Sequence, residues 1–572
     1  MAVLTLTAVA LALALAPGPS LRAPRPPTSR TAVLRATAAA DVDVCVIGGG
    51  PAGYTVAALL ARDEHSVALV DPSPEGSWPN NYGSWRVEWE ALASSLRLPE
   101  LLDCVRVNWG VTDCFFGGSF DTPFEDRTRL DAPYLQVDRT KLKALLEQQH
   151  AAHGVRLLRG TVAAKAVAPN LFDGSLVHDA SGSTVTLEPS GEVVRAKLVV
   201  DATGFESRMV ARESVEASGL WKEAKPGYQI AYGMCIDAKD GKIGPYDPKA
   251  MTLFDYRTDH LEGTSLLADA EDRPSFVYTM PTDDDGVFFE ETSLVGRDER
   301  RLEFETLRQR LLKRLEFHGI KYDESTVREE EYCYIPMGGA LPDPSQRLVP
   351  FGGAANTVHP ATGYQLCRML ASAPLLVDAL SAELRRPDFD PDAAAAAGHA
   401  ALWPRANRLQ RDFAVFGGEF LGAQPVEILR GFFGAFFALD QGTWGGFLAG
   451  WPGLPGNENH ATYVARIKFG LSIFFNFPPK VAAAFVAYLA TFSTQYGPLI
   501  LRSIFTPVFE IGVGAPATTP LRERREAMRA TYVRGDVAAK REAVEMLKGE
   551  RGEPSPQVAA LAEEEGGGGG GS

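Results

Sequence analysis

Three short patterns follow one another near the start of the chain. Residues 44–47 are an unbroken apolar run, Tyr54–Arg62 places apolar residues at helical spacing, and Ser66–Val70 is apolar again. A glycine-rich segment separates the first run from the helical one. Short apolar runs bounded by turn residues predict strands, and a spacing of three to four residues predicts a helix. Residues 41 to about 70 therefore predict a strand, a glycine turn, a helix and a second strand.

Between about residues 71 and 380, short β-type runs alternate with helical segments, which predicts a mixed α/β body without an internal repeat. The clearest segments are the β-type runs at 197–200, 276–280 and 287–290 and the helical ones at 140–150 and 301–317. From about 395 to 513, Phe, Trp, Ala and Gly predominate and charges are sparse. The stretch 520–550 has a charged helical pattern, and the acidic and polyglycine run at 563–572 predicts a disordered tail.

These shifts in composition divide the chain into four parts. Residues 1–40 are a predicted targeting presequence, and residues 41–395 form a discontinuous cofactor-binding and substrate domain. Residues 396–513 form an apolar helical region, and residues 514–572 a charged helix with a Gly-rich tail.

The presequence prediction rests on charge and hydropathy. Residues 2–16 form an uncharged Ala, Leu and Val run that is too short to span a bilayer. Four arginines follow it, with no acidic residue before Asp41. A signal-like core followed by an Arg-rich stretch predicts two targeting signals in tandem, as used for complex plastids, with a plain plastid transit peptide as the alternative. Nothing later in the segment caps or continues a helix, so the fold begins after it.

Charge and cysteine content exclude several classes of function. The net charge is −15, and the first 40 residues are basic, so the rest of the chain is strongly acidic and unsuited to nucleic acid. The six cysteines are scattered without any C-x-x-C pair. This spacing argues against a zinc site, and against disulfides as the scaffold, and favours buried thiols. We therefore predict no metal site.

The glycine-rich turn has the G-x-G-x-x-G spacing of dinucleotide-binding proteins. Gly48 permits a tight turn, Gly50 lets the backbone approach a pyrophosphate, and Gly53 allows close helix–strand contact. The start of the helix, which includes Pro51 and Ala52, then faces the phosphates with its partial positive charge. Asp71 ends the second strand about 20 residues later, where a carboxylate binds ribose hydroxyls, so FAD or NAD fits better than NADP.

Two later segments favour FAD. The run Lys197–Gly204 closes on Asp201 and Gly204 and resembles the second flavin-contact strand of glutathione-reductase-type flavoproteins. The run Leu348–Ala355 resembles their third contact, with Gly352, Gly353 and Ala354 in the turn. Many flavin hydroxylases carry Gly-Asp at this turn, and the Gly-Gly of this chain removes a carboxylate there. The helix that follows remains free to favour an anionic reduced flavin.

Eight motifs in consistent order, over about residues 41 to 510, resemble the plant and cyanobacterial lycopene cyclases. They are Asp71–Pro74, Trp78–Trp85, Asp201–Phe205, Tyr228–Gly233, Phe276–Pro281, Phe288–Leu294, Ile335–Gly339 and His359–Tyr364. The resemblance implies a plastid, membrane-associated flavoprotein that closes the ψ end groups of lycopene into β- or ε-ionone rings. It implies reduced FAD as cofactor, NAD(P)H as its reductant and no net redox change. It also implies a glutathione-reductase-type (Rossmann-like) α/β fold with an inserted mixed β substrate domain and an α-helical, membrane-associating C-terminal region.

Ring closure of this kind needs an acid that protonates C2 of the terminal alkene. A carboxyl group can do so if burial among apolar side chains keeps it neutral. Glu290 and Glu291 end an aromatic β-type run, and alternation sends them to opposite faces, so only one can enter a cavity. By resemblance to the Phe-Leu-Glu-Glu-Thr motif of the family, we predict Glu290 as the general acid/base and Glu291 as its neighbour or partner. The alternative is two glutamates in salt bridges.

Aromatic faces can stabilise the carbocation that follows protonation. Seven aromatic residues fit an aromatic-lined polyene tunnel, although each alone is more often a core residue. They are Trp78, Tyr82, Trp85, Tyr228, Tyr232, Phe288 and Phe289. His359, beside the third glycine turn, is predicted to be structural.

A water-insoluble substrate requires contact with a bilayer. Val481–Leu501 is the only uncharged stretch of spanning length, but Gly497, Pro498 and polar residues interrupt it. Peripheral, monotopic docking on a thylakoid or envelope membrane by aromatic amphipathic helices fits better, with core packing as the alternative. Association with other carotenoid enzymes is also open.

Other functions remain possible from the sequence alone. An FAD monooxygenase and a non-catalytic isoprenoid-binding flavoprotein are the alternatives outside the family. Within it, β-ring formation is favoured over ε-ring formation, and a neoxanthin- or ketocarotenoid-forming cyclase stays open.

Overall fold

A computed structural model describes residues 41–282, 286–497 and 499–505. The predicted presequence at 1–40 and the tail at 514–572 lie outside the described residues. The strands in chain order are β1 Val42–Ile47, β2 Val67–Asp71, β3 Tyr82–Trp85, β4 Val105–Trp109, β5 Thr112–Phe115, β6 Thr128–Leu130, β7 Tyr134–Val137, β8 Arg156–Arg159, β9 Ala164–Ala168, β10 Leu171–Gly174, β11 Leu176–His178, β12 Ser183–Thr186, β13 Val193–Asp201, β14 Pro226–Asp237, β15 Met251–Asp255, β16 Ser275–Pro281, β17 Gly286–Ser293, β18 Glu329–Gly338 and β19 Val349–Pro350.

The longer helices in chain order are α1 Pro51–Arg62, α2 Arg86–Ser95, α3 Arg139–His153, α4 Val215–Ser218, α5 Leu267–Asp272, α6 Phe304–Phe317, α7 Leu366–Leu384, α8 Pro391–Leu402, α9 Arg405–Gly422, α10 Val426–Phe437, α11 Gln441–Ala449, α12 Glu458–Ala461, α13 Tyr463–Asn476, α14 Pro479–Tyr496 and α15 Leu499–Ile504. Short 3-10 helices connect several of them. Within the described residues, the predicted segments coincide with these elements, although β2 begins one residue and α6 three residues later than expected. The charged helix predicted at 520–550 lies outside the described residues.

A sheet with a parallel centre and an antiparallel edge, formed by β11 and β12, is the first layer. The strands lie in the order β11-β12-β13-β1-β2-β8, and β19 pairs in parallel with β13. The neighbours β13, β1, β2 and β8 are parallel to one another, so the turns after β1, β13 and β19 open at the same edge. The central strands are apolar and buried because a parallel sheet is covered on both faces.

A second, mostly antiparallel sheet has the order β18-β14-β17-β16-β15-β5-β6. One face packs against α6, with Leu307, Leu311 and Leu315 of the helix contacting Ile230 and Phe289 of the sheet in one apolar cluster. The other face contributes to an aromatic cluster with the C-terminal helices, in which the rings of Phe254 and Phe433 stack at 5.0 Å. The molecule is thus a mixed α/β protein, as predicted.

The C-terminal region is helical throughout its described part. The long uncharged stretch at 481–501 is divided between α14, which ends at Tyr496, and α15. Among the described residues, none of the helices combines the length and the apolar character that crossing a membrane requires.

Candidate active site

The glycine turn between β1 and α1 is shaped by close backbone contacts. Gly48 has a φ of +107°, and a Cβ there would lie 2.6 Å from the carbonyl oxygen of Ala202. At Gly53 a Cβ would lie 1.8 Å from the carbonyl oxygen of Gly48, so only glycine lets α1 approach β1 this closely. Gly50 faces open space instead. The helix starts with Pro51, whose missing N–H costs nothing at that position.

Asp71 at the end of β2 is held against this turn. Its Oδ2 accepts a hydrogen bond from the backbone N–H of Gly49 at 2.8 Å, and its Oδ1 accepts from the N–H of Ser73 at 2.7 Å. Asp71 also lines a cavity, and each of its oxygens can accept a further hydrogen bond from a hydroxyl group there. The carboxylate is therefore fixed at the place where dinucleotide-binding folds hold a ribose.

The second and third predicted contact segments reach the same edge, but not with every predicted residue. Gly204 and Gly353 line the cavity. Asp201 is fully buried and accepts hydrogen bonds from Thr203 and Ser207, so it shapes the turn after β13 rather than facing the cavity.

Two more of the predicted flavin contacts, Gly352 and Ala354, do not line the cavity. A Cβ at Gly352 would lie 2.7 Å from that of Ala52, so this glycine permits contact with α1. Ala354 is buried in the core beneath the turn.

A cavity of about 1180 Å³ connects the glycine turns to the second sheet. Near the turns it is lined by backbone and small side chains, including Pro51, Ala52 and Asp71. At its other end the lining residues are Tyr82, Tyr134, Gln229, Tyr278, Glu290, Glu331, Cys333, Thr362 and Tyr364. It exceeds the usual range of pockets for drug-sized ligands, and one cavity can therefore hold a dinucleotide together with part of a second molecule.

Of the two neighbouring glutamates of β17, Glu290 and Glu291, it is Glu290 that lines this cavity. It is paired in register with Gly233 of β14 and with Tyr278 of β16. Among the residues that the structure describes, none donates a hydrogen bond to its carboxyl group. Burial, followed by the nearby charge of Glu331, raises the pKa of Glu290 to about 8. The group is therefore largely a neutral acid at neutral pH.

Glu291 lies on the opposite face of the sheet and is 1% exposed. Its carboxylate accepts a hydrogen bond from Ser275 Oγ at 2.6 Å and lies 3.3 Å from Nε of Arg314, which comes from α6. Asp255 also contacts Arg314, at 3.4 Å. Glu291 is thus part of a buried ion network, and the two glutamates are separated by strand alternation as predicted.

The structure places two of the seven aromatic residues of the predicted tunnel at a cavity and the other five elsewhere. Tyr82 lines the main cavity, and Trp85 lines a smaller apolar one that shares Tyr134, Tyr278 and Tyr364 with it. Trp78 is buried behind the glycine turn, where its Nε1 donates to the carbonyl oxygen of Gly49 at 2.8 Å.

The other four aromatic residues lie within the second sheet. Tyr228, Tyr232 and Phe289 lie on the face that α6 covers, opposite Glu290. Phe288 is on the same face as Glu290, but its ring is buried against Gly233.

Tyr364 is the best anchored of the cavity tyrosines. Its hydroxyl donates a hydrogen bond to Glu88 and accepts one from the backbone N–H of Trp85 at 3.3 Å. Burial raises the pKa of Glu88 to about 8, so this acid is also largely neutral. The pair holds the Tyr364 ring at the junction of the two cavities.

Glu331 and three of the four lining tyrosines, Tyr134, Tyr278 and Tyr364, were not among the predicted site residues. Tyr278 and Tyr364 stand inside quoted motifs, so the signal was present but was not assigned. His359 does not line the cavity, and burial keeps its pKa well below the usual range, so it stays neutral. Its Nδ1 accepts from the N–H of Ala361 at 3.3 Å, a local structural contact.

The chain matches known proteins in sequence and in fold. Residues 43–458 match the family model described as lycopene cyclase protein. The chain is 36% identical over 435 residues to the lycopene beta cyclase, chloroplastic, of Nicotiana tabacum, which covers 76% of this chain and 77% of that protein. It is also 36% identical over 416 residues to the capsanthin/capsorubin synthase, chromoplastic, of Citrus sinensis, covering 71% of this chain and 74% of that protein.

A solved structure of a mutant of halogenase PltM in complex with FAD shares the fold. Its TM-score is 0.52 at 13% sequence identity, over 80% of this chain and 97% of that one. This similarity concerns the fold alone.

Proposed function

The chain belongs to the lycopene cyclase family, and from this premise we propose that it closes the ψ end groups of lycopene into β-ionone rings, with reduced FAD and no net redox change. The observation that carries the proposal is Glu290, an acid held neutral in the same cavity as a dinucleotide-binding turn. No oxidation of the substrate is needed for a proton to be added at one carbon and removed at another.

The residues around the glycine turns fit FAD. Gly50 leaves open space in front of the start of α1, where backbone N–H groups and the helix dipole favour a pyrophosphate. Asp71 faces the same space and can accept from ribose hydroxyls. Gly204 and Gly353 give close backbone approach farther along the cavity. FAD, when bound and reduced, supplies negative charge that stabilises a nearby carbocation. NAD(P)H would serve to reduce it.

The side chains at the other end of the cavity perform the acid–base steps. Glu290 donates its proton to C2 of the terminal alkene, which leaves a tertiary cation at C1. The C5=C6 double bond attacks C1, the ring closes and the cation moves to C5. Tyr82, Tyr134, Tyr278 and Tyr364 face this space and offer their rings to the cation. Loss of a proton from C6 gives the β ring.

The smaller apolar cavity has a volume of about 60 Å³, so the helices around it have to separate before it can take the rest of the polyene. It is lined mainly by Leu and aromatic side chains of the second sheet and of α9–α11, and it adjoins the main cavity at Tyr134, Tyr278 and Tyr364. We infer that lycopene enters from the helical region with one end group directed towards Glu290. The glutathione-reductase-type arrangement of the FAD domain belongs to the same proposal.

We further propose that α13 and α14 dock on a membrane surface. Val464, Leu471, Phe475 and Val486 expose apolar side chains on these two helices, and Phe475 is 80% exposed. Residues 459–505 contain no Asp or Glu, although the whole chain is acidic. The two helices carry no acidic residue of their own, and the exposed Glu427 of α10 is paired with their Lys480 at 2.6 Å, so their apolar surface favours a bilayer with anionic lipids. The chloroplastic relatives support a plastid location.

Expression of this chain in cells that accumulate lycopene tests the function. We expect β-carotene from the wild-type chain, and a Glu290→Gln variant should leave most of the lycopene unconverted. Lycopene that persists beside a folded, flavin-loaded wild-type protein would contradict the proposal. ε-Rings would reassign the ring type, and oxygenated products would favour a monooxygenase.

A further inference from the structure

A second carboxyl group faces Glu290 across one strand. Gly233 of β14 pairs in register with Glu290 of β17 on one side and with Glu331 of β18 on the other. Residues paired in this way share a face of the sheet, and both glutamates line the cavity. Because neighbouring strands lie about 4.8 Å apart, the two Cα atoms are about 10 Å apart. Gly233 has no side chain to place between them, and the Phe288 ring packs on it instead.

The two carboxyl groups are held in different ways. Glu331 accepts hydrogen bonds from the backbone N–H of Asn81 at 3.1 Å, from Asn81 Nδ2 at 2.7 Å and from Cys333 Sγ at 2.9 Å. Glu290 accepts none from the described part of the chain. Hydrogen bonds to a carboxylate favour its charged form. Burial raises the pKa of both groups, and the contacts of Asn81 and Cys333 oppose this rise only at Glu331.

We propose that Glu331 is the base of the cyclisation and takes the proton from C6 after Glu290 has protonated C2. The assignment rests on the proposed function. It gives the two glutamates separate roles on the two sides of one end group, with Asn81 as a positioning residue.

The step balances without any redox partner. The O–H bond of Glu290 breaks, and the C1=C2 electron pair forms the new C2–H bond. The C5=C6 pair then forms the C1–C6 bond and leaves the cation at C5. The C6–H pair restores the C5=C6 double bond, and its proton goes to Glu331. Between turnovers Glu331 releases this proton to water and Glu290 takes one from water, since two nearby carboxyl groups are most stable when they hold one proton between them.

The spacing of the pair supports this division of roles. Two carboxyl groups that act on opposite sides of one ring need room for that ring between them, as in glycosidases that separate their acid and base. The Cα atoms of Glu290 and Glu331 lie about 10 Å apart, and the Phe288 ring packs on Gly233 between them, so an end group has to fit beyond that ring, between the two carboxyl groups. A base fixed on the side of C6 also sets the product, because loss of a proton from C4 would give an ε ring instead.

The test compares Glu331→Gln with Glu331→Asp in purified, flavin-loaded enzyme. Glu330→Gln is the matched control, because Glu330 is the next residue of β18 and lies on the opposite face, where it contacts Tyr232. We expect Glu331→Gln to form β rings at least 100-fold more slowly, the scale of lost base catalysis. Its residual products should contain a larger share of ε rings. Glu331→Asp should restore the β ring as the main product, and the control should match the wild type.

Two results would overturn the assignment. One is a Glu331→Gln enzyme that forms β rings at the wild-type rate. The other is a slow Glu331→Gln enzyme whose ring types are unchanged, since that is the effect of a purely structural residue. A wild-type enzyme that forms no rings from lycopene would instead refute the proposed function, together with this assignment.

Discussion

Replacing Glu290 by Gln removes one transferable proton and keeps the size of the side chain. The pKa of about 8 determines the fraction of molecules in which Glu290 carries this proton at neutral pH. At pH 7 a carboxyl group with a pKa of 4.5 is protonated in about 0.3% of molecules, and one with a pKa of about 8 in about 90%. The cavity thus increases the population of the active acid about 300-fold. Activity should fall tenfold per pH unit above about pH 8, because the carboxylate form cannot donate.

We expect Glu290→Gln to lower the rate of ring formation by 10²–10⁴-fold, the range of lost acid–base catalysis. Flavin content should be unchanged, because the proposed flavin contacts lie at the other end of the cavity. The assay measures the conversion of lycopene by chromatography and the bound flavin by absorbance in the same samples.

Glu291→Gln is the paired control from the same strand. It weakens a buried contact with Arg314, worth about 1.5–3 kcal/mol for a hydrogen bond to a charged group. We therefore expect a lower melting temperature but nearly the wild-type rate per bound flavin. An active Glu290→Gln enzyme beside an inactive, flavin-loaded Glu291→Gln enzyme would reverse the assignment. Two active variants would refute the acid hypothesis.

Three further predictions address the cofactor, its redox role and the membrane. Gly50→Val should keep the wild-type melting temperature but bind less FAD, because the valine side chain would fill the open space in front of α1. The control is Gly434→Ala on α10, which also faces open space and should bind FAD normally. Chemically reduced enzyme should turn over repeatedly without NAD(P)H, and consumption of NAD(P)H or O₂ in proportion to rings would contradict this. Phe475→Glu should reduce flotation with vesicles of anionic lipid. Leu102→Glu should not, because Leu102 is 47% exposed but lies outside the helical region. Equal flotation of the two variants would refute the docking surface.

Local sequence was sufficient for the first part of the site. The turn from Gly48 to Gly53 depends on neighbouring residues, so its glycine spacing predicted both the strand–helix contact and the position of Asp71. Strand alternation also predicted correctly that Glu290 and Glu291 lie on opposite faces. These features follow from rules that act within a few residues of the chain.

Which face of a strand meets the cavity could not be read from the sequence. Tyr228, Tyr232 and Phe289 alternate as regularly as their neighbours, but the packing of α6 buries their face away from the cavity. The choice of face is made by the layer that covers the sheet, and this layer comes from residues 304–317, distant from β14.

Glu331 was missed for a related reason. It ends a run of three glutamates, Glu329–Glu331, that looks like a solvated segment in the sequence. The pairing of β18 with β14 places its last member opposite Gly233, and Asn81 from a distant loop completes its contacts. Such a site is assembled by register and by long-range packing, neither of which a local pattern contains.

Reaction in deuterated water is the most direct test of the central claim, that an acid in the cavity closes the rings without net oxidation. Purified enzyme with reduced FAD and lycopene should give β-carotene that carries one solvent deuterium per ring, at C2, because each closure adds one proton there and releases another from C6. Mass spectrometry of the product measures the number of deuterium atoms, and NMR measures their position. Rings formed without deuterium at C2, or with an oxygen atom gained, would contradict the account.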